Sequence, residues 1–181
     1  MEEAPPYVIS RALGTESDVP VTGRIDDALV VSEDLSSRLE GLVDDDDLEG
    51  VLALVGLDGV AEAWVRYARP GNRTDDDPDF WAVDLFWTKP LVQARETHRS
   101  LILRLIELSP DDDVLGVVAA GPLEDFLSPE EHELVWVEHE AAQNARFRQA
   151  LAGVWIWDWP AESFARVEAA AGTPLAKPRR A

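Results

Sequence analysis

Apolar residues recur at helical spacing along most of the chain, and the polar residues between them carry the signals that start and stop helices. Leu35, Leu39 and Leu42 fall at i, i+4 and i+7 and predict a short helix over 33–42. Asp44, Asp45, Asp46 and Asp47 then offer an acidic cap and first turn, where negative charge meets the positive end of the next helix dipole. Leu48, Val51, Leu52 and Val55 continue the stripe, as do Val60, Ala63, Trp64 and Tyr67 beyond an expected break near Gly56. Pro70-Gly71-Asn72 ends it, and the polar, aperiodic stretch 72–79 reads as a linker.

Phe80 to Trp87 predicts a short aromatic helix, and Pro90 opens a longer one along which Leu91, Ala94, His98, Leu101, Ile102, Leu105 and Leu108 share a side. Asp111 to Asp113 cap a helix ending near Ala120. Gly121 is expected to be the cap between two helices, with Pro122 at the first position of the second. Ser128-Pro129-Glu130-Glu131 has the form of a capping box ahead of a stripe formed by Leu134, Val137, Ala141 and Ala145. Helix is expected again from Phe147 until Gly153, then from Pro160 to about Ala171, where Gly172 stops it.

The pattern predicts an all-α chain: a multi-helix bundle or helical-repeat-like array of antiparallel helices over 80–171, with an acidic helical segment over 33–71 packed on it. An irregular leader is expected over 1–32, where Pro5, Pro6, Gly14, Pro20 and Gly23 interrupt short apolar runs, and a mobile tail over 172–181. Trp155 is expected to be buried against the Gly121-Pro122 junction, so that Trp155→Ala would be strongly destabilising.

Charge narrows the range of partners. Thirty-six acidic against sixteen basic residues give a net charge of −20, with 20 acidic and 6 basic side chains in residues 1–79. Such a field repels nucleic-acid phosphate and anionic membrane surfaces and attracts a basic protein. An immunity protein or inhibitor of a basic toxin or nuclease fits it, and so does a mimic of nucleic acid if the carboxylates lie in rows. The absence of cysteine excludes disulfides, thiolate zinc sites and cysteine nucleophiles. The acidic, proline-containing start is unlike a secretory signal, and no uncharged apolar window reaches the roughly 18 residues that span a bilayer. A cytoplasmic location is expected.

Candidate chemistry is sparse. His132 and His139 lie seven apart, whereas two ligands on one helix sit at i+3 or i+4, so no metal site is expected there. EF-hand loops begun at Asp44 or Asp75 meet Glu49 and Phe80 where glycine is required. Gly121-Pro122-Leu123-Glu124 has no lysine and two nearby carboxylates, which excludes a phosphate loop. No pattern points to a cofactor. His98, on the apolar side of the central helix near Glu96 and within reach of Glu124 and Asp125, is the candidate for general acid–base work. The candidate binding residues are Trp155, Trp157 and Trp159, which alternate along one strip, and the acidic run Asp44, Asp45, Asp46 and Asp47. The leading reading is a non-enzymatic protein-binding module.

From Phe80 to Trp155 the order Leu101-Ile102-Leu103, Ala120-Gly121-Pro122-Leu123-Glu124, then Phe147-Arg148, Leu151 and Gly153-Val154-Trp155 resembles an uncharacterised bacterial domain family, one of the domains of unknown function. Its hallmarks are a GPLE junction and a closing Phe-Arg, Leu, Gly-Val-Trp series. His98 stands where that resemblance implies an aromatic. The resemblance implies the helical fold and supplies no activity.

Overall fold

The computed structural model describes residues 26–176, and every regular element among them is helical. The expected leader and tail fall, over 1–25 and 177–181, outside the described residues. Helix α1 (Asp26–Asp44) begins within the stretch expected to be irregular and runs into the turn before α2 (Leu48–Tyr67). In that turn Asp47 accepts the Gly50 amide through Oδ1 at 2.9 Å, a side-chain cap of the kind the aspartate run implied. Gly56 breaks α2 with φ 68° and ψ 177°, a backbone shape that a β-carbon disfavours.

The central helix is divided. Pro90 sits in the first turn of α4 (Lys89–Gln93), Ala94 leaves helical geometry, and α5 (Arg95–Leu108) follows. Helix α3 (Trp81–Leu85) precedes them and packs with α1 and α2, while α2 lies along α5. His98, Leu101, Ile102, Leu105 and Ile106 of α5 are buried, together with Leu91 of α4. Leu35, by contrast, is exposed, although its spacing matches that of the buried Leu39.

Asp111 caps α6 (Asp112–Val118) by accepting the Val114 amide, as the sequence implied. The next turn differs from expectation. Gly121 is not a cap: Ala119–Leu123 form one π-helical turn that runs without interruption into α7 (Glu124–Phe126). Pro122 has no amide to give the carbonyl four residues back, and its ring crowds that carbonyl; a wider turn accommodates both effects. Ser128 likewise does not cap the next helix. Helix α8 (Glu131–Gln143) starts after Glu130 without a side-chain cap. Asn144 separates it from α9 (Ala145–Leu151) and accepts the amides of Arg146 and Phe147. Helix α10 (Ala161–Ala171) ends at Gly172, in the left-handed region at φ 71°. It is tied to α8 by Arg166, which reaches both Glu138 and Glu131.

Candidate functional site

The three residues of α7 point in three directions, and together they organise what the molecule presents to a ligand. Phe126 goes inward. Its ring meets the edges of His98 and Trp136 at centroid distances of 5.0 and 5.3 Å, within a run of edge-to-face contacts linking Trp64, Phe86, His98, Phe126, Trp136 and Phe147. Asp125 faces a cavity of about 680 Å³. Glu124 turns to the other side, where its Oε2 accepts the Trp155 amide at 2.9 Å.

The cavity lies within the size range of sites for small organic ligands. Its floor includes the buried rings of Trp64, Phe86 and His98, and Trp87, 68% exposed, stands at the rim. Three charged residues also line it: Asp113, Asp125 and Arg73. Arg73 spends its Nε on the Ala68 carbonyl at 2.9 Å. Neither aspartate is engaged by a cation among the described residues. Asp125 is exposed at the cavity's open side, and the desolvation it does undergo raises its carboxyl above the usual value.

His98 is only 4% exposed, and its Nδ1 has no hydrogen-bond partner. Burial, reinforced by the nearby Arg95 charge and opposed by Glu133, lowers its pKa from the usual 6.5 to about 4. Because the folded value lies below the unfolded one, the unfolded chain takes up a proton first. The contribution of His98 to stability is therefore complete above pH 6.5 and is lost as pH falls through the window towards 4, the loss growing to roughly 3 kcal/mol at the acid end. His98→Phe keeps a ring in the stack. It is expected to flatten this part of the profile when urea unfolding is compared between pH 7 and pH 4.5; an unchanged slope would show that other groups set it.

Behind the cavity floor is an ionic cluster. Glu133 of α8 is fully buried. Its Oε1 accepts Arg95 Nε at 3.0 Å, with Arg95 Nη2 closer still at 2.6 Å, and His132 Nε2 lies 3.3 Å away. Arg99 Nη2 sits 3.3 Å from Glu133 Oε2, near enough for charge attraction but without hydrogen-bond geometry. The two guanidiniums also cover rings: Arg95 lies 3.7 Å above Phe126, and Arg99 lies 5.3 Å from the Trp136 centroid.

The tryptophan strip corrects the sequence reading. Val154 and Ile156 are buried, so the alternate residues face outward: Trp155 is 51% exposed and Trp157 59%. Trp155 therefore contacts the junction through its backbone and leaves its indole in solvent. The two indoles lie beside each other, centroids 6.5 Å apart and planes tilted by 37°, while Trp159 packs partly against the core.

Residues 69–174 match the family of unknown function DUF6869. The chain belongs to that family. The matched region of this DUF6869 member contains the Trp87 rim of the cavity, the π-helical turn and the ledge formed by Trp155 and Trp157, and excludes α1 and all of α2. No curated protein and no solved structure matches the chain.

Of the candidate acid–base residues, Asp125 shares the cavity with His98. Glu96 is exposed and pairs with Arg99, and Glu124 is occupied by the Trp155 amide. Asp44, Asp45, Asp46 and Asp47 are all exposed in the turn between α1 and α2. Among the described residues no group of three or more histidine, aspartate or glutamate side chains is placed to hold a metal ion, and no helix is long and apolar enough to cross a membrane. Sequence reasoning missed Glu133. Its position four residues before Val137 and eight before Ala141, on the buried stripe, was the available signal.

Proposed function

We propose that this DUF6869 protein is a non-enzymatic binding protein that captures a basic protein partner in the cytoplasm, with Trp155 and Trp157 as its anchoring side chains. The observation that carries this reading is an exposed pair of indoles on a fixed backbone. Flanking residues Val154 and Ile156 are sunk in the core and Glu124 holds the Trp155 amide, so docking sacrifices little further backbone freedom. Tryptophan is the side chain most enriched among residues that dominate binding energy. The charge of −20, to which Asp44, Asp45, Asp46 and Asp47 contribute, would draw a basic toxin or nuclease towards this surface and repel acidic competitors. An enzymatic role for His98 has less support, since two of its three expected carboxylates are engaged elsewhere.

The test uses the full chain as bait in lysate of its host at low and high salt, beside Trp155→Ala/Trp157→Ala. We expect a stoichiometric partner that is retained by the wild type at low salt and lost from the double variant, while the melting temperature changes by less than about 2 °C. Recovery of no partner, or equal recovery by the double variant, overturns the reading.

A further inference from the structure

We propose that the cavity beside α7 binds a small organic cation with an apolar body, its ammonium or guanidinium group held by Asp113 and Asp125 and its body lying against Trp64, Tyr67, Phe86 and Trp87. This site is separate from the tryptophan ledge and stands without it.

The wall chemistry selects the ligand. Aromatic faces carry negative potential at their centres and attract a cation that has shed part of its water. Two aspartates against one arginine leave the lining with a net negative charge, and that arginine is already fixed to the Ala68 carbonyl. Asp113 and Asp125 have no cationic partner among the described residues, although arginines elsewhere on the surface pair repeatedly with carboxylates. Both carboxylates stand at the open side of the cavity, exposed to solvent and facing the rings of its floor, where an incoming positive charge can reach them together with the aromatic faces.

The floor gives an independent indication. His98 is a buried polar ring on the cavity floor beside the rings of Trp64 and Phe86, and its Nδ1 has no hydrogen-bond partner. A packed core favours a hydrocarbon side chain at such a position, and a polar ring retained directly beneath the cavity is in keeping with a ligand site, which sets a few polar groups among apolar ones. The ring also stays uncharged at neutral pH, so it does not oppose a cation.

Two glycines make the proposal testable. Gly116 and Gly121 both line the cavity, and a β-carbon built on either meets no atom within 4 Å, so side chains can be grown into the space from a tolerant backbone. The full chain would be titrated calorimetrically with benzyltrimethylammonium, with phenylacetate as the anion of similar size. We expect saturable binding of the cation at one site and none of phenylacetate. Asp113→Asn/Asp125→Asn should weaken it by about tenfold or more, and Gly116→Leu should abolish it at an unchanged melting temperature. Gly121→Leu serves as the plug if Gly116→Leu proves less stable. Trp155→Ala/Trp157→Ala should leave cation binding intact, which separates this site from the protein-binding reading. The proposal fails if no saturable binding is seen at tens of millimolar cation, if a folded plugged variant binds as well as the wild type, or if phenylacetate binds equally well.

Discussion

Glu133→Ala is expected to destabilise the protein by about 3–5 kcal/mol, the usual cost of removing one member of a buried ion pair. The carboxylate is inaccessible to water and is shared by Arg95 and Arg99, the latter largely buried itself. Without it, a largely buried guanidinium, Arg99, and a partly exposed one, Arg95, lose their shared counter-charge, and the charge that opposes the lowering of the His98 pKa disappears. Glu133→Gln keeps the shape and one acceptor and should cost less. Replacing Glu133, Arg95 and Arg99 together by hydrocarbon side chains of similar volume should recover most of the loss, because the deficit comes from unpaired charge and not from missing bulk. Urea unfolding of the wild type and the three variants at pH 7 measures the series. A loss under about 1 kcal/mol for Glu133→Ala would mean that the arginines escape to solvent and that the cluster is peripheral to stability.

Phe126→Ala is expected to cost a similar amount, about 3–5 kcal/mol, for a different reason. The ring is fully buried, and its loss leaves a void bounded by His98, Trp136 and Arg95. Part of the cost belongs to the guanidinium resting on its face. Arg95 also donates Nη2 to the Phe126 carbonyl at 3.0 Å, so side chain and backbone of one residue are held by one cation. A double-mutant cycle of Phe126→Leu and Arg95→Met should therefore show coupling of about 1–2 kcal/mol. Additive effects would demote the stacked arginine to a bystander.

The helices were legible in the sequence because their apolar stripes and several of their caps are local. Asp47, Asp111, Asn144 and Gly172 act within a few residues of where they stand, and each does at a helix end what its chemistry implies. The failures arose where a tertiary demand overrode a local preference. Pro122 is well suited to the first turn of a new helix, but here the chain continues through a wider turn that accommodates the proline and carries Phe126 inward between His98 and Trp136. The period-two strip from Val154 to Trp159 was visible, yet spacing alone does not say which of its faces turns inward, and here Val154 and Ile156 take the core side while a distant carboxylate, Glu124, holds the Trp155 amide. His98 was picked out by its place on an apolar stripe, whereas the cavity above it is assembled from α2, α3, α5, α6 and the π-helical turn and has no signature in any one of them. Glu133 illustrates the same limit: a glutamate inside EEHELVWVEHE reads as solvated until two arginines from α5 are seen to enclose it.

The distribution of indoles between core and surface has an optical consequence. Trp64 and Trp81 are sealed from water, whereas Trp87, Trp155 and Trp157 stand in it, so the protein's emission is a sum of a blue, shielded population and a red, accessible one. A neutral quencher such as acrylamide should give a downward-curving Stern–Volmer plot, while iodide, repelled by the net charge of −20, should quench the accessible set less than its exposure suggests. An unfolding trace read at a single wavelength would then mix the melting of the aromatic core with the solvation of a surface that was already wet. Near-ultraviolet circular dichroism, which weights rings held in fixed asymmetric contact, follows the run from Trp64 to Phe147 and is the signal to use for the core.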